Sequence, residues 1–289
     1  MDNTKPMEGR ICMITGATSG IGKVTALELA RLGATVVVHG RNNEKCESTV
    51  KEIKEATGNM NVECMLADLS RMDDVRRLAE EFKAKYDRLH VLINNAGAVY
   101  LKRQETVDGF EMTLAVNHLS HFLLTNLLLG TLKASAPSRI INVSSRAHER
   151  GKMNFDDIHG KRGYFGMTSY GQSKLANVLF TYELARRLEG TKVTVNALHP
   201  GFVASGFGMN NTLMRIVRPI GNLIAISPEQ GAQTSIYLAS SPEVANVTGK
   251  YFVNRKEVKS SPASYDKESA RKLWELSEEM TGLKKHSEA

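Results

Sequence analysis

Ile11-Cys12-Met13-Ile14-Thr15-Gly16-Ala17-Thr18-Ser19-Gly20-Ile21-Gly22 decides the fold. Four apolar residues make a short buried strand, the glycines make a turn, and a helical pattern runs over residues 23–32 before stopping at Gly33. A strand that enters a helix through a glycine turn is a phosphate-binding unit. Its bare backbone lets N–H groups approach a pyrophosphate, and the helix N-terminus adds roughly half a positive charge. The glycines are separated by three residues and then by one, a departure from the G-x-G-x-x-G fingerprint.

Working outward, the same strand-then-helix alternation recurs to the end of the chain. A second apolar strand, 34–38, ends in His39-Gly40-Arg41. An acidic residue there would hold a ribose 2′-hydroxyl, whereas an arginine suits a 2′-phosphate; Arg41 without an acid favours NADP over NAD, with Lys45 as a weaker second contact. A helix over 44–57 leads to a strand over 62–66 with Asp68-Leu69 just past its end, where Asp68 reads equally as a helix cap. An amphipathic helix over 73–85 precedes Val91-Leu92-Ile93 and the polar run Asn94-Asn95-Ala96-Gly97. A long apolar helix over 110–129 is interrupted by Asn117, His118 and His121. A buried asparagine needs partners, so Asn117 is structural glue or part of a site, and the histidines read as packing or rim residues. A strand over 139–143 delivers Ser144-Ser145 to the same edge, the polar stretch 146–167 reads as a loop over it, and helix 169–188 follows. The sixth strand, 193–198, ends in His199-Pro200-Gly201. The apolar, methionine-bearing segment 202–226 suits a lid over an apolar substrate, or equally a packing helix. Ser227-Pro228-Glu229 caps a helix to about residue 239, and a final strand (250–253) and terminal helix (266–280) complete one domain spanning 1–289. Such alternation predicts a doubly wound parallel sheet of about seven strands, with ligands outside the strands' carboxyl ends.

Tyr170-Gly171-Gln172-Ser173-Lys174 places a phenol and an ammonium one turn apart on one helix face. A cation within about 4–6 Å favours the phenolate and makes the phenol a usable acid near neutrality.

Composition bounds the function. The chain has 289 residues, 42% hydrophobic and 24% charged, and reads as soluble and globular. Its formal charge of +7 is spread along the sequence, which favours anionic ligands rather than a nucleic-acid footprint. Cys12, Cys46 and Cys64 fit no metal-ligand or redox spacing, so the expectation is reduced thiols, no metal and a cytoplasmic location. No apolar signal core lies within residues 1–10 and no run approaches the roughly 18 apolar residues of a membrane span, so no stable span is expected.

Taken in order and spacing, the Thr15 to Gly22 turn, Asn94-Asn95-Ala96-Gly97, Asn117, Ser145, Tyr170 with Lys174, and Pro200-Gly201 resemble the short-chain dehydrogenase/reductase family over about residues 8–255. Asp108-Gly109-Phe110-Glu111, the run from Val116 to Thr125, Ser173-Lys174-Leu175-Ala176-Asn177 and the long gap between Ser145 and Tyr170 are similar to its retinol dehydrogenase branch. Eukaryotic members of that branch commonly carry an N-terminal membrane anchor, and this sequence shows none.

The resemblance implies a single-domain Rossmann-type enzyme that transfers hydride between NADP(H) and a retinal-like or other lipophilic carbonyl or alcohol. A steroid or quinone carbonyl reductase and a non-enzymatic NADP-binding sensor are the alternatives. It implies a tetrad in which Tyr170 exchanges the proton, Lys174 lowers the tyrosine pKa and holds the nicotinamide ribose, Ser145 (with Ser144 its alternative) holds the substrate oxygen, and Asn117 holds a water linking Lys174 to solvent. For the cofactor it implies Gly16, Ser19, Gly20, Ile21 and Gly22 at the pyrophosphate, Arg41 at the 2′-phosphate, Asp68 and Leu69 at adenine, Asn95 at the adjoining ribose, Val203 at the carboxamide and Ser205 near it. It also implies pairing of two copies through the helices that carry Asn117 and Tyr170.

Overall fold

A computed structural model describes residues 5–202 and 226–283. Strands β1 (Ile11–Ile14), β2 (Thr35–Gly40), β3 (Val62–Leu66), β4 (Val91–Asn94), β5 (Ser138–Val143), β6 (Val193–His199) and β7 (Tyr251–Val253) pair in parallel. The eighth, β8 (Lys256–Val258), adds antiparallel to β7, and the order is β3-β2-β1-β4-β5-β6-β7-β8. Both faces are covered, as a parallel sheet requires. Helices α1 (Gly20–Arg31), α2 (Asn43–Thr57) and α6 (Pro228–Ser240) share one cluster of buried residues. Helices α3 (Met72–Lys85), α4 (Met112–Ala134), α5 (Gly166–Arg187) and α7 (Lys267–Thr281) share the other.

The period of two in a strand explains the division. Cys12, Ile14, Val36, Val38, Ile93 and Ile141 face the first cluster, while Met13, Val37, Leu92, Ile140 and Val195 face the second. Burying these side chains fully stabilises the fold by about 1.5–3 kcal/mol each before chain entropy is counted.

The expected single α/β domain is therefore present, with one strand more than expected. β7 and β8 are joined by Asn254 and Arg255, both in the left-handed region at φ 50° and 63°. That is the backbone of a two-residue hairpin, and here it is built without glycine.

Two helices differ instructively from the sequence pattern. α1 and α5 each begin at a glycine, Gly20 and Gly166, about one turn before the apolar periodicity starts. α4 is α-helical at both ends but widens to a π-turn over Ala115–Leu119, around Asn117. By length and apolar composition α4 could cross a membrane; in this fold 72% of its most apolar window is buried, packed against α3, the sheet and α7.

α7 lies across α5 and α4. Trp274 packs edge-on to Phe122 with centroids 4.9 Å apart and lies 5.8 Å from Phe180, while the Arg187 guanidinium stacks 4.0 Å over its ring. The helix pair expected to meet a second copy thus carries the chain's own terminal helix.

The strand order reverses between β1 and β4. The glycine turn follows β1 and Asn95 follows β4, so both lie at the switch point, where open α/β sheets bind ligands.

Candidate active site

The glycine turn is shaped by backbone constraints. Gly16 sits at φ +63°, and a Cβ on Gly22 would come within 2.4 Å of the Gly16 carbonyl oxygen and 2.5 Å of Asn95 Nδ2. The Ser19 side chain makes no capping hydrogen bond at the start of α1. The first-turn N–H groups therefore remain to receive an anion, the donor set a pyrophosphate requires.

Two side chains brace the turn from behind. Asn95 Nδ2 donates to the Thr15 carbonyl at 2.8 Å and to that of Gly16 at 3.2 Å. Buried His39 accepts from the Gly16 N–H at 3.2 Å through Nδ1 and donates to the Ala67 carbonyl at 3.1 Å through Nε2. Burial pushes the His39 pKa down to about 4, which keeps Nδ1 free to accept.

Arg41 follows, exposed, with neither an ion pair nor a hydrogen bond among the described residues. Asp68 does not cap α3, whose N-cap is Arg71; its Oδ1 accepts from the N–H and hydroxyl of Ser70, at 3.0 and 2.8 Å. Leu69 is buried in the core. The turn, Arg41, Asp68 and Asn95 thus lie at one edge of the sheet.

At the other end of that edge, the strand end after β5 is clamped to α5. Lys174, 3% exposed, donates from Nζ to the Val143 carbonyl at 3.1 Å, and the Ser144 hydroxyl donates to the Lys174 carbonyl at 2.7 Å. The hydroxyl of Ser144 is thereby committed to the helix backbone. Ser145, extended at φ −161°, is the serine that meets Tyr170: its hydroxyl hydrogen-bonds the phenol and also accepts from the Ala147 N–H at 3.2 Å. Of the two candidate serines, Ser145 presents its hydroxyl to the phenol and Ser144 to the helix backbone.

Asn117 is fully buried. Its Oδ1 accepts from the Ala98 N–H at 2.7 Å, and its Nδ2 donates to the Ala98 carbonyl and to Ser173 Oγ, each at 2.9 Å. Ser173 in turn donates to the Tyr170 carbonyl at 2.8 Å. Asn117, Ser145, Tyr170 and Lys174 are thus gathered at the carboxyl ends of β4 and β5.

The electrostatics correct one expectation. The Lys174 ammonium lies 5.7 Å from the Tyr170 ring centroid, but burial dominates and raises the phenol pKa to about 12, with the Ser145 hydrogen bond as the opposing influence. Burial likewise lowers Lys174 to about 8. The pair is a neutral phenol beside an easily deprotonated amine, with burial outweighing every opposing influence on the phenol.

The family profile for short chain dehydrogenases matches residues 10–215. The chain belongs to the short-chain dehydrogenase family. Within it the chain falls in the retinol dehydrogenase branch. It is 48% identical to human retinol dehydrogenase 14, covering 96% of this chain and 88% of that protein. It is 47% identical to human retinol dehydrogenase 13, covering 95% and 85%.

Among solved structures, an uncharacterized protein from Mycobacterium paratuberculosis superposes with a TM-score of 0.78 at 36% identity, covering 95% of this chain and 94% of that one. The Pseudomonas aeruginosa RhlG/NADP active-site complex superposes with a TM-score of 0.69 at 29% identity, covering 86% and 96%. This short-chain dehydrogenase is accordingly an oxidoreductase, from a family that binds a nicotinamide cofactor.

Val203, Ser205 and nearly all of the expected lid, 202–226, lie outside the described residues. Three positions in this dehydrogenase carry more than the sequence suggested. His39 and His121 join strand ends, and His148 donates from Nδ1 to the Ser145 carbonyl at 2.7 Å while accepting the Ser261 N–H at 3.1 Å. The available signal was a histidine inside an otherwise apolar or strand-end pattern, and its partners are remote in sequence.

Proposed function

We propose that the protein is an NADP(H)-dependent oxidoreductase acting on an apolar, retinal-like aldehyde or the corresponding alcohol. The observation that carries the reaction is the Tyr170 phenol hydrogen-bonded to Ser145 and one helical turn below buried Lys174. Arg41, unpaired among the described residues at an acid-free strand end, supports NADP, as do the NADP complexes among similar structures. The retinol dehydrogenase names of the relatives support the apolar substrate.

Bound NADPH supplies the hydride to the carbonyl carbon. Ser145 holds the carbonyl oxygen by its hydroxyl, and Tyr170 gives that oxygen its proton as negative charge develops there. With a pKa of about 12 the phenol is fully protonated near neutrality, the form that carbonyl reduction requires. Lys174 holds the ribose and restores the proton to the phenolate, and Asn117 orients the water that supplies it. Backbone N–H groups from Ser19 to Gly22 take the pyrophosphate, with Gly16 and Gly20 allowing the approach, and Arg41 takes the 2′-phosphate. By the family resemblance Asp68 and Leu69 would border adenine and Asn95 the ribose.

The test is oxidation of NADPH and of NADH, followed at the nicotinamide absorbance, against retinals, aliphatic and aromatic aldehydes, steroid ketones and quinones. Turnover of long apolar aldehydes with at least a roughly tenfold preference for NADPH is expected, as one charge-assisted contact at the 2′-phosphate would give. A preference for NADH overturns the cofactor reading, and tight NADPH binding with no turnover overturns the enzymatic one.

A further inference from the structure

His121 stands one turn beyond Asn117 on α4, 1% exposed. Its Nδ1 lies 3.1 Å from the Asn117 carbonyl oxygen and its Nε2 lies 3.2 Å from Thr15 Oγ1. A carbonyl only accepts, so Nδ1 carries the proton. Burial, with the Lys174 ammonium as the next influence, lowers the ring pKa to about 3, so the imidazole is neutral and Nε2 is a bare lone pair. Nε2 must then accept from the Thr15 hydroxyl. The oxygen of that hydroxyl accepts from the N–H groups of Asn95 at 2.9 Å and Ala96 at 3.0 Å, and its one hydrogen has two acceptors in reach: the ring nitrogen at 3.2 Å and the Ile93 carbonyl at 3.4 Å, a carbonyl that the Thr15 and Asn95 N–H groups already occupy.

The bonds then run from the Asn95 and Ala96 N–H groups to Thr15, from the Thr15 hydroxyl to His121 in preference to the longer contact with the Ile93 carbonyl, and from the His121 N–H to the Asn117 carbonyl. Thr15 opens the glycine turn, and Asn117 sits at the centre of the π-turn. The imidazole is therefore a rigid spacer between the two halves of the site, with one nitrogen on each. A buried ring must satisfy its nitrogens in any case; what distinguishes this one is that its two bonds reach different halves of the site.

We infer that His121 is a positioning residue that fixes the cofactor turn and the Asn117 π-turn relative to each other through its Nδ1–H tautomer. The kinetic part of this inference rests on the proposed NADP-dependent reaction, whereas the tautomer does not.

The first measurement is nitrogen NMR of the folded, histidine-labelled protein. The expected spectrum has His121 neutral at pH 6 and protonated on Nδ1, the minority tautomer of free imidazole. An Nε2–H tautomer or a cationic ring would overturn the inference.

The second measurement compares His121→Asn with His121→Leu, using NADPH fluorescence for binding and single-turnover rates at saturating NADPH. Asparagine keeps the bond to the carbonyl four residues back, as Asn126 does to Phe122 at 2.8 Å on the next turn, and loses the bond to Thr15. His121→Asn should weaken NADPH binding about tenfold and leave the single-turnover rate within about threefold, whereas His121→Leu should lose about tenfold in both, the effect of one hydrogen bond at each end. A folded His121→Leu protein with wild-type binding and rate would overturn the inference and leave the ring as packing. If the wild type binds NADPH but reduces no carbonyl, the functional proposal fails while the tautomer and binding results still decide the role of His121.

Discussion

The glycine turn and the catalytic corner lie on one edge of the sheet but are held in place by different means. At the turn, the shape comes mainly from positions within seven residues of one another that exclude side chains: Gly16 needs a positive φ and Gly22 has no room for a Cβ, while Asn95 and His39 brace the result from 79 and 23 positions away. At the corner, hydrogen bonds join residues far apart in sequence. Ser144 reaches Lys174 across 30 positions, Asn117 reaches Ser173 across 56, and His148 reaches Ser261 across 113. A site shaped by backbone tolerates no local substitution, whereas one shaped by side chains divides its function among groups that can be removed singly.

The contrast can be broken at either end. Tyr170→Phe removes the proton donor and nothing of the turn, so turnover should fall by about 10³-fold while NADPH affinity changes less than about twofold. A matching loss of affinity would mean that the two ends are not separable. Gly22→Ala should do the reverse: its Cβ would collide with the Gly16 carbonyl and the Asn95 amide, costing about 1–3 kcal/mol of stability and at least about tenfold in NADPH affinity. Denaturant unfolding and cofactor titration measure both. Wild-type affinity in that variant would show that the turn yields more than its geometry suggests.

Acidity sharpens the contrast, because Lys174 belongs to the corner alone. Its folded pKa of about 8 lies below that of the unfolded chain, so above pH 8 the ammonium is lost and kcat/KM for reduction should fall, approaching tenfold per pH unit. The same group affects stability with the opposite sign. Between about pH 8 and 10.5 the unfolded state binds more protons than the folded state, and the Lys174 contribution to stability rises with pH. A reduction profile flat to pH 9.5 would show that the ammonium is not needed.

The smallest expected effect is that of Ser144→Ala. Losing one buried hydrogen bond to the Lys174 carbonyl should cost about 1 kcal/mol of stability and less than about threefold in turnover, since in the proposed reaction Ser145 and not Ser144 holds the substrate oxygen. A loss of 10²-fold would exchange the roles of the two serines.

The same distinction governs what could be read in advance. Parallel strands β1 to β7, the glycine turn and the Tyr170/Lys174 pair are legible because short-range periodicity and fixed spacings write them in contiguous residues. β8 was not, because its hairpin places Asn254 and Arg255 at positive φ with no glycine to announce it, and its three residues are exposed. Gly20 and Gly166 read as turn residues but occupy the first positions of their helices, Gly20 because its φ of 54° suits glycine and Gly166 because a Cβ there would meet the Tyr100 carbonyl oxygen at 2.4 Å. The histidines were the furthest from sequence reach. Whether His121 or His148 is packing or brace depends on partners at Thr15 and Ser261, which no local pattern specifies. The phenol acidity was misjudged for a related reason: spacing gives the distance to Lys174 but not the desolvation that outweighs it.

The terminal helix α7 has a consequence for behaviour in dilute solution. Because Trp274 and its neighbours are tethered to the surface they cover, their local concentration is set by the chain and not by the number of molecules present. A cover borrowed from a second copy would dissociate on dilution and take part of the folding free energy with it. Here the seal over α4 and α5 is intramolecular, so its contribution to stability does not depend on protein concentration.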